Sequence, residues 1–355
     1  MAFKKLVKIN KGVAFIALLL IGVIFSCKEK NKTPDKMKYV SGEALGTTYH
    51  IKYFSEDNFE ASTKVDSIFK AINLSMSTYQ QDSDISKINH GDTSVVVDDM
   101  FKEVYELSES ISRSTKGYFD PTVGNIVNAY GFGGEKVEIK LDSVKIDSMM
   151  TYVGMDKIAL TNENRIKKNS PNVYLEFNSI AKGYTVDRLG IMLEKAGVNN
   201  YLVELGGELR ARGKNIDNQK NWRVGIDNPQ TKDRSFSTVI SLKNVAMATS
   251  GNYRKFRFDS LTGKRYVHTI NPLTGYSYKS DILSASVLAN TCAEADAYAT
   301  AFMAMGYSKA LTVLEEIPGI EVYFIYDEAG TVKTYASKGF LAAGAAPKGD
   351  DIKTN

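Results

Sequence analysis

Apolar side chains at Val65, Ile68, Phe69, Ile72 and Met76 recur every three or four residues, which predicts an amphipathic helix over 60–78. Asp98 and Asp99 open a second helix that turns Phe101, Val104, Tyr105, Leu107 and Ile111 inward, and Gly117 stands where a C-terminal cap belongs. Further helices are expected over 142–152 and over 180–197, the latter closed by Gly197. The stretch "TCAEADAYAT" (291–300) opens one more, with closely packing alanines and with Phe302 and Met305 as bulk for a core face. Alternating polarity marks 47–54, "TTYHIKYF", as a strand. Strands are also predicted over 173–177, 200–207, 222–227, 236–242, 264–270, 282–289 and 320–326. Strand runs mixed with separate helices predict an α+β fold, mixed sheets with packed helices, and not a regular βαβ winding.

The N-terminus follows a different pattern. Lys4, Lys5, Lys8 and Lys11 precede an unbroken apolar run over 12–25, "GVAFIALLLIGVIF". That run is short of the ~20 residues a membrane-spanning helix needs, so 1–26 reads as a signal peptide. It ends in "IFSC", where Cys27 resembles the acylated cysteine of a bacterial lipoprotein. Residues 27–38 are mostly charged and read as a disordered tether, 39–340 as one domain, and 341–355 as a disordered tail. The expected address is the bacterial cell envelope, with the chain anchored to a membrane by lipid and facing the periplasm.

Processing changes the charge argument. The chain carries 45 basic and 41 acidic side chains, and the four signal-peptide lysines leave with the signal, so 41 face 41. A neutral mature chain gives no footprint for nucleic acid. Of the two cysteines only Cys292 then remains free, which excludes an intramolecular disulfide and reads as a small buried hydrophobe.

Several motifs carry chemistry. Asp296 and Thr300 lie four residues apart, on one side of the last helix; an acid and a hydroxyl so placed can bind a hard cation, or can be a dipole-favoured carboxylate beside an idle threonine. "LEFNSIAKGYTVD" (175–187) runs from Glu176 through Asn178 and Ser179 into a helix whose first turn holds Lys182 and Gly183. Free amides, the positive dipole end and a lysine make that turn a place for a phosphate, and Gly183 allows close backbone approach. "GFGG" (131–134) lacks the spacing of a dinucleotide fingerprint, and no P-loop occurs. "YLVELGGELR" (201–210) sets two glycines between two acids at the end of a buried strand. Of the three histidines, His50 and His90 have no chemical company in the sequence, whereas His268 ends a strand before an Asn-Pro-Leu-Thr-Gly turn, where a general base can sit. Neither cysteines nor histidines have the spacing of a zinc site.

In this order and spacing the motifs resemble the ApbE family of flavin transferases. The similarity runs from "EALGTTY" (43–49) to "YFIYDE" (323–328). It includes "STYQQDSDISKIN", "GYFDPTVGNIVNAYGFG", "IAKGYTVD", "YLVELGGEL", "ATSGNY", "HTINPLTG" and "ADAYAT". The resemblance implies an FAD site between two intertwined subdomains. It also implies transfer of FMN from FAD to a threonine of a target protein, with AMP released. By the same resemblance Asp296, Thr300 and Ser179 hold Mg²⁺, which suits an ion that takes few protein oxygens. FAD contacts carry over to Leu45, Tyr79, Tyr118, Phe119, Asp120, Glu176, Lys182 and Thr269 or Ile270. Leu45 stands where many members have methionine, and Glu176 where aspartate is more usual. His268 is the candidate base for the acceptor hydroxyl. Implied partners are FAD and an exported or membrane redox protein carrying the acceptor threonine, such as a subunit of a Na⁺-translocating quinone reductase or an Rnf-type complex. Two other readings stay open at this point: an Mg²⁺-dependent FAD pyrophosphatase giving FMN and AMP, and a non-enzymatic FAD-binding lipoprotein.

Overall fold

The computed structural model describes residues 35–56, 59–135, 141–229, 235–252, 256–258, 265–277 and 280–345. The expected signal peptide and Cys27 lie outside the described residues. The helices are α1 (Ser62–Met76), α2 (Asp84–Asn89), α3 (Asp99–Ser114), α4 (Gly124–Ala129), α5 (Ser143–Met150), α6 (Ala181–Lys195), α7 (Cys292–Met305), α8 (Tyr307–Leu314) and α9 (Lys338–Ala342). The strands are β1 (Lys36–Ala44), β2 (Thr47–Ser55), β3 (Ile158–Leu160), β4 (Ile166–Lys168), β5 (Tyr201–Leu205), β6 (Glu208–Arg212) and β7 (Trp222–Asp227). They continue with β8 (Phe236–Leu242), β9 (Val245–Gly251), β10 (Phe256–Phe258), β11 (Arg265–Val267), β12 (Ile282–Ala289), β13 (Glu321–Glu328) and β14 (Thr331–Ala336).

Eight strands form one antiparallel sheet in the order β1-β2-β5-β6-β9-β12-β13-β14. Period-two alternation divides its side chains between its two faces. Ile51, Val203, Leu205, Ala246 and Cys292 share the core on the face where α6 lies, and Val287 and Phe324 share one with residues of α3 and α7. Leu209, Met247, Leu288 and Tyr323 face the other way, onto Trp222, Ile240 and Leu242 of the β7–β8 hairpin and Phe340 of α9. With both faces covered, β12 reads as an apolar run, "ILSASVLA", with little alternation.

Two hairpin tips meet at one end of this sheet. Leu45 and Gly46 link β1 to β2 with φ of +50° and +73°, and Gly206 and Gly207 link β5 to β6 with φ of +62° and +105°. Two positive φ values are what a two-residue hairpin turn matching strand twist requires. The Gly206 amide donates to the Thr48 carbonyl (2.9–3.0 Å being ideal; here 3.0 Å), so the tips lie side by side.

Helix α7 is buried along nearly its whole circumference, opens at Thr291 with a capping box to Glu294, and packs on β9, β12 and α6. Its crossing with α6 is very close. A Cβ on Gly183 would lie 2.2 Å from the Cys292 carbonyl oxygen. The polar ends are cross-linked there. Asp187 of α6 accepts from the amides of Cys292 (3.0 Å) and Ala293 (2.9 Å), and Asp296 of α7 accepts from the Gly183 amide (3.1 Å). Arg210 Nη1 donates to Asp187 at 2.7 Å and matches its charge.

The structure corrects four expectations. Residues 173–177 are not a strand; apart from one bridge between Val123 and Tyr174 they pair with no strand. Side chains take the place of a neighbour: Asn89 Nδ2 donates to the Leu175 carbonyl and Asn89 Oδ1 accepts from the Leu175 amide, both at 2.8 Å. Lys168 Nζ donates to the carbonyls of Asn89, Pro171 and Val173. An apolar run whose backbone is satisfied this way needs no sheet. The expected tether overlaps β1, which starts at Lys36, because register with β2 continues to Lys36 opposite Ser55. The expected tail from 341 overlaps α9, and Ala345 is buried in the core beside Phe340. The strand expected over 264–270 is only Arg265–Val267, since Ser277 bonds both the amide and the carbonyl of Val267 and the chain turns away. Among the described residues no helix is long and apolar enough to cross a membrane.

Gly183→Ala tests the close crossing. The added methyl gains about 1 kcal/mol of helix propensity but meets a backbone carbonyl that cannot rotate aside. Overpacking of this kind costs roughly 1–3 kcal/mol. A net loss of stability is therefore expected in chemical denaturation, and equal or greater stability would show that the helices separate freely.

Candidate active site

The α6–α7 crossing carries the first group of predicted residues. Lys182, in the first turn of α6, forms an ion pair with Glu208 Oε1 at the start of β6. Burial works against the ammonium, yet the carboxylates of Glu208 and Asp296 beside it outweigh burial and raise its pKa. Asp296 is 3 % exposed, and burial pushes its carboxyl up although Lys182 pulls it down. Asp296 thus lies on the buried face of α7, with the Gly183 amide as its hydrogen-bond donor. Thr300, one turn further on, lies 3.4 Å from Ser250 Oγ, hydroxyl to hydroxyl. Ser179 occupies the turn that leads into α6, four residues ahead of the Gly183 amide that Asp296 binds.

The second group lies on loops beside the crossing. Glu176 is buried, and its amide donates to the Pro121 carbonyl at 2.8 Å, so residues 174–176 run alongside 121–123. Burial pushes the Glu176 carboxyl up to about 7, against a hydrogen bond from Asn178 at 3.0 Å. Asp120 is raised by burial as well, although it accepts from the Thr122 amide (2.8 Å) and hydroxyl (2.6 Å). Phe119 is fully buried, while the Tyr118 hydroxyl accepts from Lys309 Nζ at 2.6 Å and its ring lies 4.9 Å beneath that ammonium. Tyr79 is 62 % exposed; burial of its hydroxyl and the nearby Glu176 charge raise its pKa. Its hydroxyl donates weakly to the Phe132 carbonyl (3.4 Å), and the Phe132 ring packs edge-on against His268 at 6.5 Å between centroids.

Thr269 and Asn252 connect the two groups. The Thr269 hydroxyl donates to Asn252 Oδ1 at 2.7 Å, and Asn252 follows β9, two residues beyond the Ser250 that faces Thr300. Ile270 instead enters the small core with Val123 and Ile126, so of the expected pair Thr269 carries the polar contact. Leu45 sits half-buried at the hairpin tip, in a left-handed conformation, and packs on residues of two cores.

Glu208, Asp187, Asn252 and Ser250 belong to this arrangement and were assigned no role from sequence. Glu208 had a visible signal, an acid directly after a glycine pair at a buried strand end. Asp187 and Ser250 had none, since each acts through a partner distant in sequence. His50 and His90, isolated in the sequence, have structural partners in the fold. The Tyr39 hydroxyl and His50 Nδ1 lie 2.5 Å apart, and His90 contacts the Ser86 carbonyl (2.7 Å) and lies 3.5 Å from Glu135. Cys292 is buried and its thiol is pushed well up by burial, as suits a hydrophobe and not a nucleophile.

The donor set suits a hard cation. Asp296, Glu208, Thr300, Ser250 and Ser179 offer only oxygen, and Glu208 Oε2 is enclosed without a hydrogen-bond partner. Among the described residues no three His, Cys, Asp or Glu side chains cluster as a metal site, so hydroxyl or main-chain oxygens would have to complete the set. Oxygen donors beside a lysine at a helix N-terminus are the chemistry of a protein that grips phosphate groups.

Comparison with known proteins agrees with that class. The ApbE family profile matches residues 45–324. The FAD:protein FMN transferase of Haemophilus influenzae is 36% identical over 346 residues, covering 94% of this chain and 97% of that protein. Its counterpart from Vibrio cholerae is 33% identical over 340 residues, 93% of this chain and 98% of that one. The solved flavin transferase ApbE from Vibrio cholerae superposes with a TM-score of 0.77 at 32% identity, over 87% of this chain and 100% of that one. The apo flavinyl transferase ApbE of Pseudomonas stutzeri gives 0.78 at 29%, over 88% and 99%. The chain belongs to the ApbE family.

The buried Glu176 carboxyl makes stability depend on pH. Its folded pKa of about 7 lies above the ordinary 4.5, so the folded state holds the proton where the unfolded state releases it. The resulting stabilisation is present below about pH 4.5 and lost as pH rises toward 7, an effect on the order of 3 kcal/mol. Glu176→Gln should remove that part of the decline and be more stable than the parent at pH 8. Parallel unfolding curves from pH 5 to 8 for both proteins would contradict it.

Proposed function

We propose that this chain transfers the FMN part of FAD to a threonine hydroxyl of an acceptor protein, with Mg²⁺ required and AMP released. The carrying observation is the α6–α7 crossing, which sets Lys182, Asp296 and Glu208 together at a helix N-terminus. Relatives named FAD:protein FMN transferase, matched over nearly their whole length, support the same reading.

Asp296, Thr300 and Ser179 would hold Mg²⁺, which supplies a Lewis acid that draws charge from the pyrophosphate. Lys182, at the positive end of α6, binds phosphate oxygens and holds the chain of phosphorus atoms in place. Glu176, Asp120, Tyr118, Phe119, Tyr79 and Leu45 line the remainder of the FAD site. The acceptor threonine Oγ forms a bond to the FMN phosphorus while the bond from that phosphorus to the bridging oxygen breaks. AMP leaves with that oxygen. His268 takes the hydroxyl proton as the new bond forms. Signal cleavage at Cys27 and acylation there would keep the enzyme on the periplasmic side of a membrane, where an exported redox protein would be its partner.

Incubation with FAD, Mg²⁺ and a threonine-containing acceptor peptide tests the reading. The expected products are flavinylated peptide and AMP in equal amounts. FMN and AMP with unmodified peptide would instead establish a pyrophosphatase, and unchanged FAD a binding protein. Asp296→Asn should abolish transfer at low Mg²⁺ and recover only in part with excess.

His268→Ala separates base from scaffold. General-base assistance is typically worth ~10²–10⁴-fold, so the saturated transfer rate should fall by that order while FAD affinity stays. Weakened FAD binding at an almost unchanged saturated rate would make His268 a support for the Asn271–Gly275 turn.

A further inference from the structure

We infer that Glu208 is a further member of the cation pole, presenting its Oε2 to the divalent ion or to an ion-bound water. The inference rests on the Mg²⁺ reading of Asp296 and adds a residue to it.

Glu208 is 2 % exposed, and the hairpin turn at Gly206–Gly207 fixes it at the first position of β6. Its two oxygens have different fates. Oε1 pairs with Lys182, whereas Oε2 is enclosed and without any hydrogen-bond partner. Leaving a buried carboxylate oxygen unsatisfied costs free energy, so an enclosed one in a folded protein calls for a ligand. The neighbouring charges identify what kind. Asp296 and Glu208 each act electrostatically on Lys182, and Glu208 acts on Asp296. Asp187, the next acid along, is matched by Arg210. Two buried acids share a single ammonium, so Lys182 alone cannot match both once they are ionised, and a divalent cation would. The oxygen-only donor set and the pairing of carboxylates with hydroxyls favour magnesium or manganese over softer metals.

The test uses the full chain stripped with EDTA and titrated with MgCl₂ or MnCl₂ in the absence of FAD. Affinity is read by calorimetry and by the shift in melting temperature. Glu208→Gln, close in shape, should weaken cation binding by about 10–100-fold, the range found for residues that support a metal's ligands. Glu208→Asp keeps the charge and should recover part of the loss. Glu204→Gln is the control, since Glu204 lies on the same hairpin, interacts electrostatically with Glu208 and also has an enclosed, unpaired Oε2, but is not among the charges acting on Lys182 or Asp296. It should bind the cation as the parent does. Melting temperatures in EDTA report whether each variant folds, and if Glu208→Gln does not, Glu208→Asp carries the comparison. Parent-like binding by Glu208→Gln together with loss in Asp296→Asn would overturn the inference and leave the Mg²⁺ reading standing. An equal loss in Glu204→Gln and Glu208→Gln would also overturn it, as a through-space effect. Parent-like binding by both Asp296→Asn and Glu208→Gln would remove the cation reading itself.

Discussion

The close crossing of α6 and α7 at Gly183 is the constraint on which the site depends. With a side chain at that position the Cys292 carbonyl could not approach, and the two helix starts could not exchange caps. Asp187 satisfies amides of α7 that no intrahelical carbonyl can reach, and Asp296 does the same for Gly183 of α6. Each acid is buried, so each depends on these amides and on a cation: Arg210 for Asp187, and Lys182 for Asp296. The symmetry is incomplete. Arg210 bonds Asp187 directly at 2.7 Å and also reaches Glu194, whereas Lys182 gives its hydrogen bond to Glu208 and acts on Asp296 through space. One end of the crossing is therefore a closed structural lock. The other retains unsatisfied acceptor capacity at Glu208 Oε2.

The sheet explains why the open end is placed as it is. Because β2 pairs with β5, the turns at Leu45–Gly46 and Gly206–Gly207 lie together, and the second turn delivers Glu208 to Lys182. Because β9 lies between β6 and β12, Ser250 reaches Thr300, and Asn252 just beyond it holds Thr269. Three strand ends and two helices thus converge without any one of them carrying the whole site. Rigid elements hold the residues proposed to bind the cation and phosphate. Loops hold those proposed to surround the rest of FAD, an arrangement common where precision is needed at one end of a ligand and adaptability at the other.

Legibility in the sequence followed the range of the interactions. Helix α3 was readable because Asp98 caps its own helix and accepts from Phe101 three residues on. The stretch 282–289 was readable because burial on both faces leaves an apolar run. Asp296 and Thr300 were readable as a pair because helical spacing alone sets them on one side. The run at 173–177 misled because its apolar pattern reflects burial, while its backbone is satisfied by Asn89 and Lys168 from outside any sheet. Strand β9, "VAMATSG", was missed for the opposite reason. Its small residues carry little strand preference, and it is a strand because it lies between β6 and β12.

The acids at the site show the same division in their chemistry. Sequence gives a carboxylate and its neighbours within a turn, but pKa is decided by what encloses it. Glu176 and Asp120 are raised because burial outweighs the Asn178 and Thr122 hydrogen bonds they accept. A carboxyl that keeps its proton near neutral pH can donate a hydrogen bond, which an ordinary surface glutamate cannot. Burial raises Glu176, Asp120 and Asp296 alike, and what sets Asp296 apart is the Lys182 ammonium beside it, which pulls its carboxyl back down. Acids that look alike in the sequence are thus distinguished by what the fold encloses with them.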